Sequence, residues 1–165
     1  TTTTLAPTTT AVPTTTTPPV PVATINSVKV QLVSRFAQYD PGQSVWWLYF
    51  FAGPVTCADN LGSTPAPVIF WNTEARRAEI LPALGTIDTP PIAFDYPNSP
   101  HGPFTVTSDT SLTFTSVSAV PGGRWTGHLT VKPVTSQWDS GPAGGIEAID
   151  ADFDATVCPP FNTMT

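Results

Sequence analysis

Three aspartates spaced two residues apart near the C-terminus are the residues of this chain whose type and spacing point most directly to chemistry. In a strand, Asp150, Asp152 and Asp154 lie on one face, with carboxylates about 6.6–7 Å apart along the chain. Such a row of like charges needs solvent or a cation around it. One hypothesis is therefore a Ca²⁺ site, shared with a neighbouring loop or a neighbouring chain.

The spacing of this row matches the first three ligands of an EF-hand loop. However, Ala155 stands where that loop needs Gly, and Phe161 stands where it needs Glu. The failed motif favours a second interpretation, in which the row belongs to an edge strand whose charges prevent pairing with other sheets.

The five tryptophans are the second group with binding chemistry, because an exposed ring can stack on a sugar face or anchor a partner. Trp138 is followed by Asp139 and a loop rich in Gly and Pro at 139–145, so we predict an exposed binding position at these two residues. No row of three regularly spaced exposed aromatic residues is visible. The remaining tryptophans lie in apolar or alternating segments and are predicted to be core residues: Trp46, Trp47, Trp71 and Trp125.

The inventory of catalytic groups is poor. His101 lies in a Pro-rich turn and His128 lies on the polar face of a predicted strand, and neither has a nucleophile at a recognised spacing. The GxSxG, HExxH and phosphate-binding Gly-rich patterns are missing. Pairs of carboxylates that could serve glycoside hydrolysis occur in any acidic protein, so their presence here does not indicate a glycosidase. We therefore predict that the chain is not an enzyme and needs no cofactor beyond the Ca²⁺ of the first hypothesis.

Two cysteines, Cys57 and Cys158, lack the clustered spacing of a zinc site. If they pair, the bridge ties the first third of the domain to its last strand and stabilises it by roughly 4–5 kcal/mol through loop entropy. The alternative is two unrelated buried thiols, because a free cysteine packs as a small apolar residue. The sequence leaves both open.

The net charge of −6 is concentrated at the C-terminal end. Residues 133–165 contain five acidic residues and no Lys or Arg, whereas residues 1–132 have six basic and seven acidic residues. Such an acidic surface repels phosphate backbones and anionic membranes, so we expect no nucleic-acid partner. The longest apolar run, at 45–55, is interrupted by Gly53 and Pro54 and is too short to cross a membrane.

The elements that must position these residues follow an abrupt change in composition. Residues 1–24 contain twelve Thr, five Pro and no charge, which is typical of a flexible extended linker or stalk. We predict a domain at 25–160 and a short tail at 161–165. A helix of one or two turns or an irregular loop is expected at 73–81. Two-residue periodicity and apolar runs predict strands at 28–36, 44–51, 68–71, 92–96, 104–107, 112–117, 124–132 and 146–157.

Seven or eight short strands with turns between them predict an all-β fold, an antiparallel β-sandwich or jelly roll. The strands at 104–107 and 112–117 flank a four-residue polar segment and are predicted to form a hairpin.

An uncharged Thr/Pro hinge followed by a β-domain of about 140 residues resembles the protruding domain of a small icosahedral RNA-virus capsid protein. The resemblance lies in layout and composition. It implies a surface projection of the virion that associates as a dimer or trimer and attaches to a host receptor or glycan. The alternative is a secreted carbohydrate-binding or adhesion module, because the segment at 13–18 is similar to the linkers of microbial polysaccharide-degrading enzymes.

Overall fold

A computed structural model describes residues 20–25, 28–59, 68–73, 81–95, 104–106, 109–132, 134–135, 145–146 and 148–161. The described residues are all-β, and none of them lies in a helix. The strands are β1 (Val22–Ile25), β2 (Val28–Gln31), β3 (Ser34–Asp40), β4 (Val45–Phe51), β5 (Ile69–Asn72), β6 (Gly85–Asp88), β7 (Ile92–Phe94), β8 (Phe104–Val106), β9 (Thr110–Ser116), β10 (Arg124–Val131), β11 (Val134–Thr135), β12 (Gly145–Ile146) and β13 (Ile149–Val157).

Two sheets contain these strands. The large sheet has the order β6-β9-β10-β13-β3-β4-β5-β7-β8, and the small sheet has the order β11-β12-β1-β2. All neighbours are antiparallel except β13 and β3, which run parallel. The expected antiparallel arrangement of seven or eight strands is therefore wrong in two respects: the strands are more numerous and shorter, and one central pair is parallel.

The large sheet curls, so that strands far apart in its order face each other across its concave side. Trp71 of β5 and Phe114 of β9 are five strand spacings apart, about 24 Å in a flat sheet, yet their ring centroids are 5.6 Å apart. Trp46 of β4 and Trp125 of β10 are three spacings apart, about 14 Å, and their rings are 5.4 Å apart. The concave face thus closes on an aromatic core, as predicted for these three tryptophans, and all three are buried.

Both faces of the middle of the sheet are covered, which explains why β4 is apolar on both sides. The concave face carries the main core, to which Ala23 of β1 and Leu32, the residue after β2, also contribute. The convex face carries a second group that we call the aromatic cluster: Phe36, Trp47, Tyr49, Phe51, Val55, Cys57, Phe70, Cys158 and Phe161.

Several expected boundaries differ from the structure. The predicted strand at 28–36 breaks after Gln31, and its two halves join different sheets. The predicted hairpin does not form, because β8 pairs with β7 while β9 pairs with β6 and β10. Val22 already begins β1, inside the segment assigned to the linker, and Phe161 of the assigned tail packs against the aromatic cluster. Residues 1–19, residues 74–80 of the helix candidate at 73–81, and residues 162–165 lie outside the described residues.

Candidate functional site

The register of β10 and β13 collects charged side chains on the convex face of the large sheet. Thr126 pairs with Asp154, His128 with Asp152, and Thr130 with Asp150. Because side chains alternate along a strand, the apolar residues of both strands face the core and these polar residues face outward. We call the outward group the charged row: Arg124, His128, Asp150, Asp152 and Asp154.

Arg124 and Asp154 form one end of the charged row. The guanidinium Nε donates to Asp154 Oδ1 at 2.6 Å, and Nη2 lies 2.5 Å from Oδ2, so the contact is bidentate. Arg124 Nη1 also donates to the Thr156 hydroxyl at 2.8 Å. The hydrogen bond to Asp154 raises the pKa of Arg124, which is therefore a permanent positive charge.

His128 lies between the other two carboxylates. Its Nδ1 is 2.8 Å from Asp152 Oδ1 and its Nε2 is 2.6 Å from Asp150 Oδ1, so each ring nitrogen contacts a different aspartate. Hydrogen bonds to Asp152 and then to Asp150 raise the pKa of His128 above its ordinary value. The side chain of His128 is 39% exposed and those of both aspartates are 70% or more exposed, so the group is open to solvent.

These contacts bear on both interpretations of the aspartate row. The edge-strand interpretation stays a prediction: β13 pairs with β3 at Thr156 and Val157, whereas the three aspartates lie in the part of β13 whose pairing, among the described residues, is with β10. For the Ca²⁺ hypothesis, Asp150 and Asp152 contact opposite nitrogens of one ring, so these donors surround an imidazole rather than one common point. Among the described residues, no group of three or more His, Cys, Asp or Glu is placed to hold a metal ion.

The cysteine question left open by the sequence is answered by a disulfide between Cys57 and Cys158, with Cα atoms 5.2 Å apart. After β13 the chain continues along β3: the Cys158 amide donates to Ala37 O at 2.8 Å, and the Phe161 amide donates to Tyr39 O at 3.0 Å. Gln38, which is buried, donates from Nε2 to Pro159 O at 2.8 Å. The disulfide therefore fixes a C-terminal segment that the backbone already ties to the sheet.

The loop at the other end of the disulfide is closed by local hydrogen bonds. Asp59 accepts from the backbone amide of Thr56 at 2.7 Å and from its hydroxyl at 2.9 Å, and these bonds lower the pKa of the Asp59 carboxyl. Ser34 joins this loop to β3, because its hydroxyl donates to Gly53 O and accepts from the Val55 amide, each at 3.0 Å.

The aromatic cluster is a surface that sequence reasoning missed. Trp47, Tyr49 and Phe51 alternate along β4 and share one face, and the rings of Trp47 and Tyr49 are stacked at 5.7 Å with 7° between their planes. Phe70 of β5 lies 6.1 Å from Trp47. Tyr49 and Phe51 are buried, whereas Trp47 and Phe70 are half-buried. The two-residue spacing of these aromatic residues already indicates that they share one face of β4. The sequence analysis, however, interpreted both faces of this segment as core.

Other predicted site residues fall elsewhere. Trp138, Asp139 and His101 lie outside the described residues, so the binding position predicted at 138–139 stays a prediction. The charged row contains His128, which the sequence placed on the polar face of a strand without a nucleophile at a recognised spacing. The alternation of β10 shows that His128 faces outward. It does not show that β13 is the neighbouring strand that places Asp150 and Asp152 beside the ring.

Comparisons with known proteins do not add a relative: no family model, curated protein or solved structure matches this chain. In the part of the chain that the structure describes, no helix is long and apolar enough to span a membrane.

Proposed function

We propose that this chain is a non-catalytic recognition domain displayed outside the reducing interior of a cell. The disulfide between Cys57 and Cys158 is the observation that carries this proposal. Disulfides form and persist in secreted proteins and at virion and cell surfaces, and they are rare in the cytosol. The Thr/Pro tract that precedes the domain supplies a tether of the kind that holds such a domain away from a larger body.

The charged row supports a non-catalytic role. A histidine that acts as general base needs a free nitrogen within reach of a substrate proton. Both nitrogens of His128 contact carboxylates, and the carboxylate of Asp154 is bound by Arg124. These side chains bind one another, which suits a surface element better than an acid–base pair.

We propose that this recognition domain is the surface projection of a viral capsid, which its organisation of a Thr/Pro linker and a β-domain resembles. Such a projection forms a dimer or trimer and attaches to a host receptor. On this proposal the curled large sheet and the small sheet that contributes Ala23 to its core form the sandwich or jelly roll of such a projection. The test is the solution mass of the chain by light scattering after size exclusion, at two concentrations differing about a hundredfold. A constant dimer or trimer supports the projection, and a monomer at both concentrations overturns it.

A second form is favoured by the aromatic cluster. Half-buried Trp47 and Phe70 on neighbouring strands offer ring surface to a sugar, which suits a secreted carbohydrate-binding or adhesion module. A glycan array on the monomer tests it, with Trp47→Ala expected to abolish binding. The matched control is Leu84→Ala, which removes a large apolar side chain that is 65% exposed. Binding that survives Trp47→Ala in a folded variant contradicts this surface.

A further inference from the structure

We propose that His128, Asp150 and Asp152 form a proton-controlled clasp between β10 and β13, closed when the imidazole carries two protons and open when it carries one. The clasp is a property of the exposed face and does not depend on which partner the domain recognises.

The argument starts from the number of protons that the ring can donate. A carboxylate at ordinary pH only accepts hydrogen bonds, and a neutral imidazole has one N–H donor and one lone pair. His128 has a carboxylate oxygen within 2.8 Å of each nitrogen. Both contacts are attractive only for the imidazolium, which donates from both nitrogens. In the neutral ring, one nitrogen lone pair faces a carboxylate oxygen and repels it.

Among the described residues, the neighbours of His128 offer no other group that could take over this role. From β13, the neighbours are Asp150 and Asp152, whereas Asp154 is bound by Arg124. The residue opposite in β9 is Thr113, which does not titrate and whose hydroxyl is hydrogen-bonded to Thr86 at 2.9 Å.

On its own strand, the charged neighbours of His128 are Arg124, held by Asp154, and the adjoining Lys132, whose Nζ lies 3.0 Å from Asp109. Both cations are committed to other carboxylates. The proton on His128 is therefore the only titrating positive charge among the described groups that face Asp150 and Asp152.

Loss of this proton changes the charge and the geometry of the face together. The three side chains carry one net negative charge when the ring is an imidazolium and two when it is neutral. Among the described side chains, Asp152 contacts only the ring, at 2.8 Å, whereas Asp150 is closer to the ring, at 2.6 Å, and also has the Thr130 hydroxyl 3.5 Å from its Oδ1. Asp152 is thus the arm expected to release, leaving an exposed carboxylate beside His128.

Nuclear magnetic resonance of the full chain tests the clasp. The chain has two histidines, so the variant His101→Gln leaves one ring signal, that of His128. We expect its titration midpoint above about 6.5, the value of an unperturbed histidine. The carboxyl ¹³C signals of Asp150 and Asp152 should shift through the same midpoint. The His128 midpoint should fall in Asp152→Asn, fall in Asp150→Asn, and fall furthest in the double variant.

Asp154→Asn is the matched control, because it removes a carboxylate from the same face of the same strand whose partner is Arg124. It should leave the His128 midpoint nearly unchanged, since only long-range charge is lost. A His128 midpoint at or below 6.5, or an equal fall in Asp154→Asn and the double variant, overturns the clasp. So does a carboxyl signal of Asp152 that does not shift with the titration of the ring.

Discussion

Among the described glycines, Gly127 is the one where an added methyl group should disturb the fold most. It lies on the concave face of β10, beside an irregularity where β9 has one extra residue against β10. A Cβ built on Gly127 lies 1.9 Å from the carbonyl oxygen of Thr113 and 2.8 Å from the ring of Phe153. Both distances are shorter than real contacts, so Gly127→Ala must push β9 away from β10 and displace the ring.

The size of the effect follows from three contributions. Overpacking of this kind costs about 1–3 kcal/mol. Loss of one ladder hydrogen bond between β9 and β10 adds about 0.5–1.5 kcal/mol. The reduced entropy of the unfolded chain with alanine offsets about 0.4–1 kcal/mol. We therefore expect Gly127→Ala to lower the free energy of unfolding by about 2 kcal/mol and the Tm by about 4–8 °C.

Urea denaturation followed by tryptophan fluorescence measures this difference, because buried Trp46 and Trp125 report on the core. Gly53→Ala is the matched control, since a Cβ at Gly53 meets nothing within 4 Å. Its free energy of unfolding should stay within about 0.5 kcal/mol of the parent chain. Equal stability of the two variants would refute the reasoning from close approach.

Three further predictions rest on other contacts. Replacing Cys57 and Cys158 together by Ala opens a loop of 101 residues and should cost about 4–5 kcal/mol of unfolding free energy in urea, less if the unfolded chain stays compact. Trp125→Ala removes a fully buried ring whose Nε1 donates to a backbone carbonyl at 2.8 Å, and should cost about 3–5 kcal/mol by the same assay. His128 has a raised pKa in the folded chain, so its stabilisation is complete below the unfolded pKa and disappears as pH rises through the folded pKa. The Tm of the parent chain, measured against pH, should therefore approach that of His128→Gln at high pH. A difference in Tm that grows as pH rises would contradict this direction of the pH dependence.

The β class and most strands could be predicted, because apolar alternation and turn residues are local signals. The segment Val45–Phe51 is apolar on both faces in the sequence, and the structure buries all of its residues except Trp47, which was predicted to be core and is half-buried. The predicted core positions of Trp46, Trp71 and Trp125 are confirmed for the same reason. The pattern within a strand is therefore sufficient to predict most of its buried residues.

Sheet order could not be predicted, because it depends on pairs far apart in the chain. The parallel contact of β13 with β3 joins Thr156 to Phe36, and no local pattern contains that information. The hairpin prediction failed for this reason: its polar connection resembled a turn, and Asp109 does have a positive φ of 55°, yet β8 and β9 pair with other strands. The partners of the aspartate row were missed because they belong to the strand opposite.

The position of the disulfide also determines how far the domain can stretch. Strands β5 to β13 all lie between Cys57 and Cys158, inside a covalently closed ring of chain. Tension applied between Thr1 and Thr165 can peel away β1 to β4, but it passes through the sulfur bridge and leaves the ring unextended. At about 3.4 Å per residue, the residues inside the ring would contribute roughly 340 Å to the extended chain if the bridge were absent. The redox state of the surroundings therefore sets the extensibility of the domain, which is shorter by this length when the bridge is oxidised than when it is reduced.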